Sequence, residues 1–344
     1  MQTIVLEEPG RLSVRHTPAP NAPAAGEALV RVRRVGVCGT DIHAYGGRQP
    51  FFTYPRILGH ELGVEVVAVG ADVDHVQPGD RCAVEPYIHC GRCAACRVGK
   101  TNCCANLVCL GVHGDGGMRE QIVVPAAKLH PSDRLSCDQL ALVETLGIGK
   151  HAVDRAGCQP GQTVAIVGLG PIGLTAVQFA LLAGARVVAI DTSPARCAKA
   201  VGLYPGIQTL QVHPERGTVE QWLALHDELP PIVFNATGHR GSMQESFGLT
   251  GHGGTLVFIG LVTGQIAFDD PDFHRKELTL MSSRNATAAD FCEIIEAMES
   301  GRIDIRPWIT HRAAAADWPS VFDGWLEPSA DLLKGVVCFD DANA

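Results

Sequence analysis

The chain has no excess of basic residues and few charged residues of either sign. Its 344 residues include 28 Lys+Arg and 37 Asp+Glu, which gives a formal net charge of −9. Nucleic-acid binding without sequence preference needs a basic face that displaces counterions, and this balance argues against such a partner. Charged residues make up only 19% and hydrophobic residues 46%, which predicts a folded chain with a sizeable core. At about 150 residues per domain, the length predicts two domains.

The beginning of the chain lacks the basic segment of a secretory signal, because residues 1–6 run directly into Glu7, Glu8 and Pro9. The 13 cysteines do not suggest a small secreted disulfide scaffold, since the length excludes that class. We interpret them as thiols of a cytoplasmic protein, some of which are metal ligands.

One run, residues 164–185, carries no charge and is long enough to cross a membrane on the ~20-residue rule. Its first half contains four turn-forming residues: Gly168, Gly170, Pro171 and Gly173. We therefore interpret the run as a buried strand, a turn and a helix, and expect no membrane partner.

The organisation of the chain changes near residue 150. The first stretch shows strand-like runs with partial period-two alternation, such as residues 28–33 and 63–69, and turn residues separate them. From about 151 to 286 the pattern becomes β-α-β, with strands predicted at 163–167, 186–190, 232–235 and 255–259. A further helix is predicted at 288–299. The fold class is therefore α/β, with a mostly β first stretch.

The glycine triplet Gly168-x-Gly170-x-x-Gly173 follows a predicted strand and opens a predicted helix. Such glycines allow a tight turn, close approach of a pyrophosphate, and packing of helix on strand. Asp191 ends the next strand, where an acid can hold the adenosine ribose hydroxyls and repel a 2′-phosphate. The motif predicts binding of NAD in preference to NADP. The alternative is a glycine-rich turn in an ordinary α/β sheet.

Cys90, Cys93, Cys96 and a cysteine at 103 or 104 can close a tetrahedral zinc site. A closed four-thiolate site has no open position, which makes its role structural. An iron–sulfur cluster would favour a shorter last gap followed by proline, and free thiols are the other alternative. Spacing alone does not separate Cys103 from Cys104.

Cys38, His60 and Glu61 form a mixed sulfur, nitrogen and oxygen set that zinc accepts. Three protein ligands leave a fourth position for water or substrate. On spacing alone the set is weak, because a His-Glu pair is more often an ordinary structural element.

Together these segments resemble the zinc-dependent medium-chain alcohol and polyol dehydrogenases over essentially the whole chain. The resemblance rests on Gly36-Val-Cys-Gly-Thr-Asp, Gly59-His-Glu, the four-cysteine segment and Gly168-Leu-Gly-Pro-Ile-Gly, in the order and spacing of that family. It implies a GroES-like β catalytic domain at 1–150 and 287–344, with a structural zinc lobe at about 88–106. It also implies a doubly wound Rossmann domain at 151–286. One catalytic and one structural zinc per chain, NAD, and a homodimer or homotetramer are implied as well.

The resemblance also assigns roles to residues. It gives the catalytic zinc to Cys38 and His60, with Glu61 as a ligand or near-ligand, and selects Cys104 as the fourth structural ligand. Glu144 matches a carboxylate that approaches the catalytic zinc in polyol members, although Thr145 stands where those members have proline. Asp41 aligns with an acid that orients the zinc histidine. Thr40 and His43 are expected to relay a proton to solvent. The remaining cofactor contacts implied are Ile172, Arg196, Ile259, Gly260, Leu261, Ser283 and Arg284.

The segments at 44–61 and 270–277, and Ser283-Arg-Asn-Ala-Thr, look like those of bacterial L-galactonate 5-dehydrogenases, a sugar-acid subgroup. The expected reaction is NAD-dependent oxidation of a secondary alcohol to a ketone. Related subgroups that act on galactitol, sorbitol or L-threonine are alternatives, as are a zinc-free reductase and a non-catalytic zinc- and NAD-binding scaffold. A substrate carboxylate needs a cationic partner, and the candidates are Arg48, Arg56, Lys276 and Arg284.

Overall fold

The computed structural model describes residues 1–49, 52–213 and 215–340. Pro50 and Phe51, which belong to the segment resembling the sugar-acid subgroup, lie outside the described residues. The chain divides into two compact units. The β unit comprises Met1–Thr145 and the segment from Ala286 onward, and the parallel-sheet unit comprises Leu146–Asn285. The exact residue ranges of the two expected domains stay a prediction.

The strands, in chain order, are β1 (Gln2–Glu8), β2 (Arg11–His16), β3 (Glu27–Val37), β4 (Glu61–Val69), β5 (Arg81–Val84), β6 (Tyr87–Ile88), β7 (Val108–Cys109), β8 (Gln121–Pro125), β9 (Leu129–Pro131), β10 (Thr163–Val167), β11 (Arg186–Asp191), β12 (Gln208–Gln211), β13 (Ile232–Asn235), β14 (Thr255–Phe258), β15 (Thr279–Ser282), β16 (Ile309–Ala314) and β17 (Lys334–Cys338).

The helices are α1 (Gly39–Tyr45), α2 (Ala94–Arg97), α3 (Cys137–Ala141), α4 (Val143–Ala156), α5 (Pro171–Leu182), α6 (Pro194–Leu203), α7 (Thr218–Leu223), α8 (Arg240–Leu249), α9 (Asp270–Arg275), α10 (Ala288–Glu299) and α11 (Trp318–Leu326). Short 3-10 turns occur at Thr101–Cys103, Ala126–Lys128, Arg306–Trp308 and Pro328–Ala330.

The β unit is built on a seven-stranded sheet in the order β16-β17-β3-β4-β5-β9, with β8 also paired to β3. Alternation along β3 buries Ala28, Val30 and Val32 while Arg31 faces solvent, as expected for a strand with one face on the core. The late strand β17 lies between β16 and β3 and is antiparallel to β3. The C-terminal segment therefore supplies an interior strand of this sheet.

The parallel-sheet unit contains six parallel strands in the order β12-β11-β10-β13-β14-β15. Strand order reverses direction on either side of β10, and ligands of doubly wound sheets bind at the carboxyl ends of the strands beside such a reversal. The predicted strand 163–167 and helix 288–299 are confirmed as β10 and α10.

The uncharged run at 164–185 contains β10, the glycine turn and α5 rather than one long helix. Within the described parts of the chain, no helix is both long and apolar enough to span a bilayer. Eight of the twelve residues of α5 are buried, which explains why this segment carries no charge.

Candidate active site

Cys38, His60 and Glu61 meet where β3 ends and β4 begins. Cys38 precedes α1, and Glu61 starts β4 opposite Gly36 in the antiparallel register. One donor atom from each of the three residues lies within 4.8 Å of the other two. Gly36 makes room for this group, since a Cβ there would lie 2.1 Å from Glu61 Oε2. Pairing of two strands thus assembles ligands that are 22 residues apart in sequence.

Glu61 is held by a cation that the sequence analysis missed. Lys334, the first residue of β17, donates from Nζ to Glu61 Oε1 at 2.5 Å, and both side chains are buried. Burial lowers the pKa of Lys334, but the Glu61 carboxylate outweighs that effect and raises it. Glu61 Oε2 is also buried and has no hydrogen-bond partner. An unpartnered carboxylate oxygen beside a thiol and an imidazole is what a divalent cation would satisfy.

Asp41 lies beside the histidine of this group. Its Oδ2 accepts from the Cys38 backbone N–H at 2.9 Å, and its Oδ1 is 3.8 Å from His60 Nδ1. Asp41 Oδ1 and His60 Nδ1 are both buried without a hydrogen-bond partner. Burial lowers the pKa of His60, but Asp41 and Cys38 outweigh this effect and raise it well above its usual range. Asp41 is thus placed to orient the imidazole.

Glu144 is buried in the first turn of α4 and is not one of the three residues whose donors lie within 4.8 Å of one another. The hydroxyl of the buried Tyr87 donates to Glu144 Oε1. Burial raises the pKa of Glu144. Tyr87 is a second residue that the sequence analysis missed, because it is 57 residues from its partner.

Thr40 and His43 lie three residues apart on α1, directly after Cys38. Residues at this spacing share one face of a helix. Thr40 is half-buried and His43 is exposed, so that the pair runs from the interior of the unit towards solvent. Their role as a proton relay stays a prediction.

The sulfurs of Cys90, Cys93, Cys96 and Cys104 form a second group with donors within 4.8 Å of one another. Cys93 Sγ and Cys96 Sγ are 3.4 Å apart, near the ~3.8 Å expected for two sulfurs on one tetrahedral zinc. Cys104 is buried and accepts backbone N–H groups from Cys90 and Asn106, both at 3.3 Å. The exposed Cys103 is outside the group.

Backbone N–H groups also favour the thiolate form of two of these cysteines. Hydrogen bonds from the backbone of Arg92 and Cys93 lower the pKa of Cys90 to about 6. Hydrogen bonds from the backbone of Ala105 and Cys96 lower the pKa of Cys93. Thiolates are the form that zinc binds, and the residues present fit a closed structural site.

The glycine triplet of the parallel-sheet unit forms the turn between β10 and α5. Gly168 has φ +94°, a conformation that favours glycine. A Cβ on Gly173 would lie 1.7 Å from the Gly168 carbonyl oxygen, whereas a Cβ on Gly170 would meet no atom within 4 Å. The first and third glycines therefore permit close packing, and the second faces open space beside the first turn of α5, which includes Ile172. This arrangement suits a pyrophosphate at a helix N-terminus.

The other predicted cofactor residues lie at the carboxyl ends of neighbouring strands of the same sheet. Asp191 ends β11 and accepts backbone N–H groups from Leu169 at 2.7 Å and Ser193 at 2.8 Å. Arg196 Nη1 is 3.7 Å from Asp191 Oδ2. The residues that follow β14 and β15 directly are Ile259, Gly260, Leu261, Ser283 and Arg284. The parallel topology thus collects all of these residues along one edge.

Lys276 and Arg56, two of the candidate carboxylate partners, form hydrogen bonds within the β unit or the parallel-sheet unit. Lys276 is buried, and its ammonium donates to the carbonyls of Gly248 at 2.8 Å and Thr250 at 3.1 Å, at the C-terminal end of α8. The Arg56 guanidinium donates to Thr53 at 2.6 Å and is 15% exposed. The structure thus gives Lys276 a structural role, and it is no longer a candidate for binding substrate.

Two family models match the chain. The alcohol dehydrogenase GroES-like domain matches residues 24–134, and the zinc-binding dehydrogenase model matches residues 171–300. Among curated proteins, an L-galactonate-5-dehydrogenase of Escherichia coli strain K12 is 40% identical over 339 residues, which covers 98% of this chain and 99% of that protein.

Two solved structures are similar over nearly their full lengths. One is an alcohol dehydrogenase, RspB, of E. coli CFT073 complexed with NADH, with 30% identity, TM-score 0.89 and coverage of 98% of this chain and 99% of that one. The other is a zinc-binding dehydrogenase of Sinorhizobium meliloti 1021 bound to NADP, with 31% identity, TM-score 0.88 and 98% coverage of both chains.

Proposed function

Because the chain belongs to the zinc-binding alcohol dehydrogenase family, we propose that it oxidises a secondary alcohol of a sugar acid to a ketone with NAD. We propose L-galactonate, oxidised at C5, as the substrate. The observation that carries the proposal is the group of Cys38, His60 and Glu61, combined with the similarity to an L-galactonate-5-dehydrogenase over 98% of the chain.

Zinc held by Cys38, His60 and Glu61 would supply Lewis acidity that makes an alcohol hydroxyl more acidic, and NAD would supply the hydride acceptor. The protein's part is to hold these donors in place and to balance their charge. Lys334 compensates the charge of Glu61, and Asp41 orients His60.

The proton released from the substrate hydroxyl needs a route to water. The Thr40 hydroxyl accepts it first in our proposal, and His43 then passes it to solvent, because an imidazole can both accept and release a proton. Glu144, fixed by Tyr87, is a further carboxylate near the reacting hydroxyl in this proposal. The exposure of His43 supports its place at the outer end of the relay.

NAD is the proposed cofactor because Asp191 would repel a 2′-phosphate. Asp191 is buried at the end of β11 and is held by two backbone N–H groups, which keep the carboxylate in position. Arg196, whose side chain is 60% exposed, is the nearby cation that would favour NADP. Because Arg196 is paired with Asp191, this arrangement supports NAD as the cofactor.

The substrate carboxylate is assigned to Arg284 or Arg48. Arg284 follows β15 at the cofactor edge, and Arg48 is exposed shortly after α1. A guanidinium can bind a carboxylate through two parallel hydrogen bonds, which a neutral polyol does not offer. A cytoplasmic homodimer or homotetramer completes the proposal.

The experiment measures NADH formation from NAD with L-galactonate, galactitol, sorbitol and L-threonine. We expect kcat/KM for L-galactonate to exceed that for galactitol by at least about 10-fold. Preference for a neutral polyol or for threonine would instead identify a neighbouring subgroup. Cys38→Ser should abolish turnover but leave NAD binding intact, as measured by fluorescence quenching. If the wild type binds NAD but shows no turnover, the protein is a scaffold.

A further inference from the structure

A cavity of about 210 Å³ lies in the β unit. Its lining residues belong neither to the Cys38, His60 and Glu61 group nor to the group of four cysteines. Strand β9 and helix α10 supply its lining, which consists of His130, Pro131, Cys292, Ile295, Glu296 and Glu299. One thiol, one imidazole and two carboxylates therefore face the same small space. Sulfur, nitrogen and oxygen donors of these types are the ligands of zinc and related divalent cations.

The thiol and the imidazole are already at the spacing of two ligands on one metal ion. Cys292 Sγ lies 3.7 Å from His130 Nδ1. Zinc–sulfur and zinc–nitrogen bonds of about 2.3 and 2.05 Å at a tetrahedral angle place the two donors about 3.6 Å apart. A cation could therefore bind between these two atoms with little rearrangement of either side chain.

His130 is held in the orientation that a metal ligand needs. Its Nε2 is 3.4 Å from Oε2 of the buried Glu85, and the other oxygen of Glu85 accepts from the ammonium of the buried Lys128. The imidazole also packs against Phe291, with ring centroids 5.0 Å apart. When Nε2–H donates to Glu85, Nδ1 carries the lone pair and faces Cys292. A carboxylate behind a histidine is the usual support of a metal-binding imidazole.

A third donor lies one helical turn beyond Cys292. Glu296 occupies the i+4 position of α10, lines the same cavity and pairs with Arg302 at 3.3 Å. Both side chains of that ion pair are more than half exposed, and exposed pairs contribute little to stability. Glu296 can therefore exchange Arg302 for a cation. Glu299, in contrast, already accepts the Ser132 hydroxyl at 2.6 Å.

An activated cysteine nucleophile is the alternative interpretation of a thiol, an imidazole and a carboxylate in series. Burial and the Glu85 carboxylate raise the pKa of Cys292, which disfavours a free thiolate. The carboxylates around the cavity favour a cation over an anionic or electrophilic ligand. A bound cation would displace the thiol proton to solvent and so remove this obstacle.

We propose that Cys292 and His130, with Glu296 turned towards them, bind a divalent cation of the Zn²⁺ type. The site is separate from the two groups assigned to the catalytic and structural zinc ions. Water fills the fourth position, because the cavity opens to solvent on the exposed side of Cys292. The bound cation ties β9 to α10.

The first test measures zinc per chain for the full-length holoprotein equilibrated at stepped concentrations of free Zn²⁺. At saturation the wild type should hold one zinc more than Cys292→Ser. Glu296→Gln should raise the free Zn²⁺ needed for this additional zinc by at least about 10-fold. Glu220→Gln is the matched control, because Glu220 also forms an exposed ion pair with an arginine, Arg216, but lies in the parallel-sheet unit and does not line the cavity. Its uptake curve should match that of the wild type.

A second measurement compares alkylation of two exposed cysteines in the wild type by peptide mass spectrometry. Added Zn²⁺ should slow alkylation of Cys292 and leave Cys103 unchanged, since Cys103 lies outside the four-thiol group. Equal zinc uptake by the wild type and Cys292→Ser, or an unprotected Cys292, would overturn the site. An unshifted uptake curve for Glu296→Gln would remove Glu296 from it.

Discussion

Glu61 and Glu144 are buried carboxylates close to one imidazole, and a different donor holds each of them. Lys334 provides a full positive charge to Glu61, whereas Tyr87 provides a neutral hydroxyl to Glu144. Burying an unpaired carboxylate is costly, and a charged partner offsets that cost better than a neutral one. Lys334 therefore supports the Glu61 carboxylate, which would bind a metal ion, with a full charge, while burial raises the pKa of Glu144.

Tyr87→Phe tests this difference, because it keeps the buried ring and removes only the hydroxyl that binds Glu144. Without that donor the pKa of Glu144 should rise further, since a hydrogen bond to a carboxylate favours its ionised form. We expect kcat to fall roughly 10-fold and the acidic limb of its pH profile to move to higher pH. The readouts are kcat against pH and the zinc content, which should stay unchanged.

Tyr204→Phe is the control for this experiment, because Tyr204 lies in the parallel-sheet unit, where its hydroxyl donates to the Leu174 carbonyl. Its pH profile should match that of the wild type. Superimposable profiles for Tyr87→Phe and the wild type would show that Glu144 does not depend on Tyr87.

At the scale of elements, the turn between β10 and α5 depends on the missing side chain of Gly173. The helix starts so close to the strand that the Gly168 carbonyl occupies the place of a Cβ. Any side chain here pushes the first turn of α5 away from the strand end. The backbone N–H groups that would bind a pyrophosphate move with it.

Gly173→Ala should therefore weaken NAD binding at least about 10-fold, because one displaced helical turn loses several phosphate contacts together. Gly202→Ala is the matched control, since a Cβ at Gly202 in α6 meets no atom within 4 Å. That change should leave NAD affinity unaltered and stabilise the helix by up to about 1 kcal/mol. Calorimetric titration measures the affinity for NAD, and thermal unfolding measures the change in stability. Normal affinity in Gly173→Ala would contradict the assigned phosphate position.

At the scale of the whole molecule, the β unit joins segments from the beginning, middle and end of the chain through ion pairs. Arg34 of β3 is buried and pairs with Asp138 of α3 at 3.0 Å and also with Asp340. Arg312 of β16 donates two hydrogen bonds to the same Asp138, at 2.8 and 2.9 Å. Asp138 therefore links segments that lie 104 and 174 residues away.

Asp138→Asn should lower the free energy of unfolding by about 1–3 kcal/mol at pH 7, because it leaves the Arg34 charge only partly compensated. Burial raises the pKa of Asp138, but Arg312 and Arg34 outweigh that effect and lower it. The pKa of Asp138 is thus lower in the folded state than in the unfolded state, where it is about 3.9. The ionised carboxylate therefore stabilises the fold fully at pH values above the unfolded-state pKa. This stabilisation is lost as the pH falls through the folded-state pKa.

The difference in the free energy of unfolding between the wild type and Asp138→Asn should therefore shrink as pH falls below about 4. Urea unfolding at pH 7 and at several acidic values measures it. A difference that stays constant over this range would show that the ionised carboxylate is not the source of the stability.

Much of the fold and part of the site were predictable because their signals are local. The strand at 163–167, the helix at 288–299 and the glycine turn between strand and helix follow from short-range hydrophobic patterns and backbone geometry. The zinc-binding dehydrogenase family was likewise predictable from spaced motifs. Lys334 was not predictable, because nothing near it distinguishes it from a surface lysine and its partner is 273 residues away.

The sequence by itself determined the types of candidate ligand, the glycine turn and the α/β class, since each depends on residues close together in the chain. Only the tertiary structure decided which distant side chains meet. Strand β17 enters the sheet beside β3 and brings Lys334 to Glu61, and helix α10 brings Cys292 to His130 across 162 residues. Contacts of this kind depend on strand order and helix packing, which local patterns do not encode.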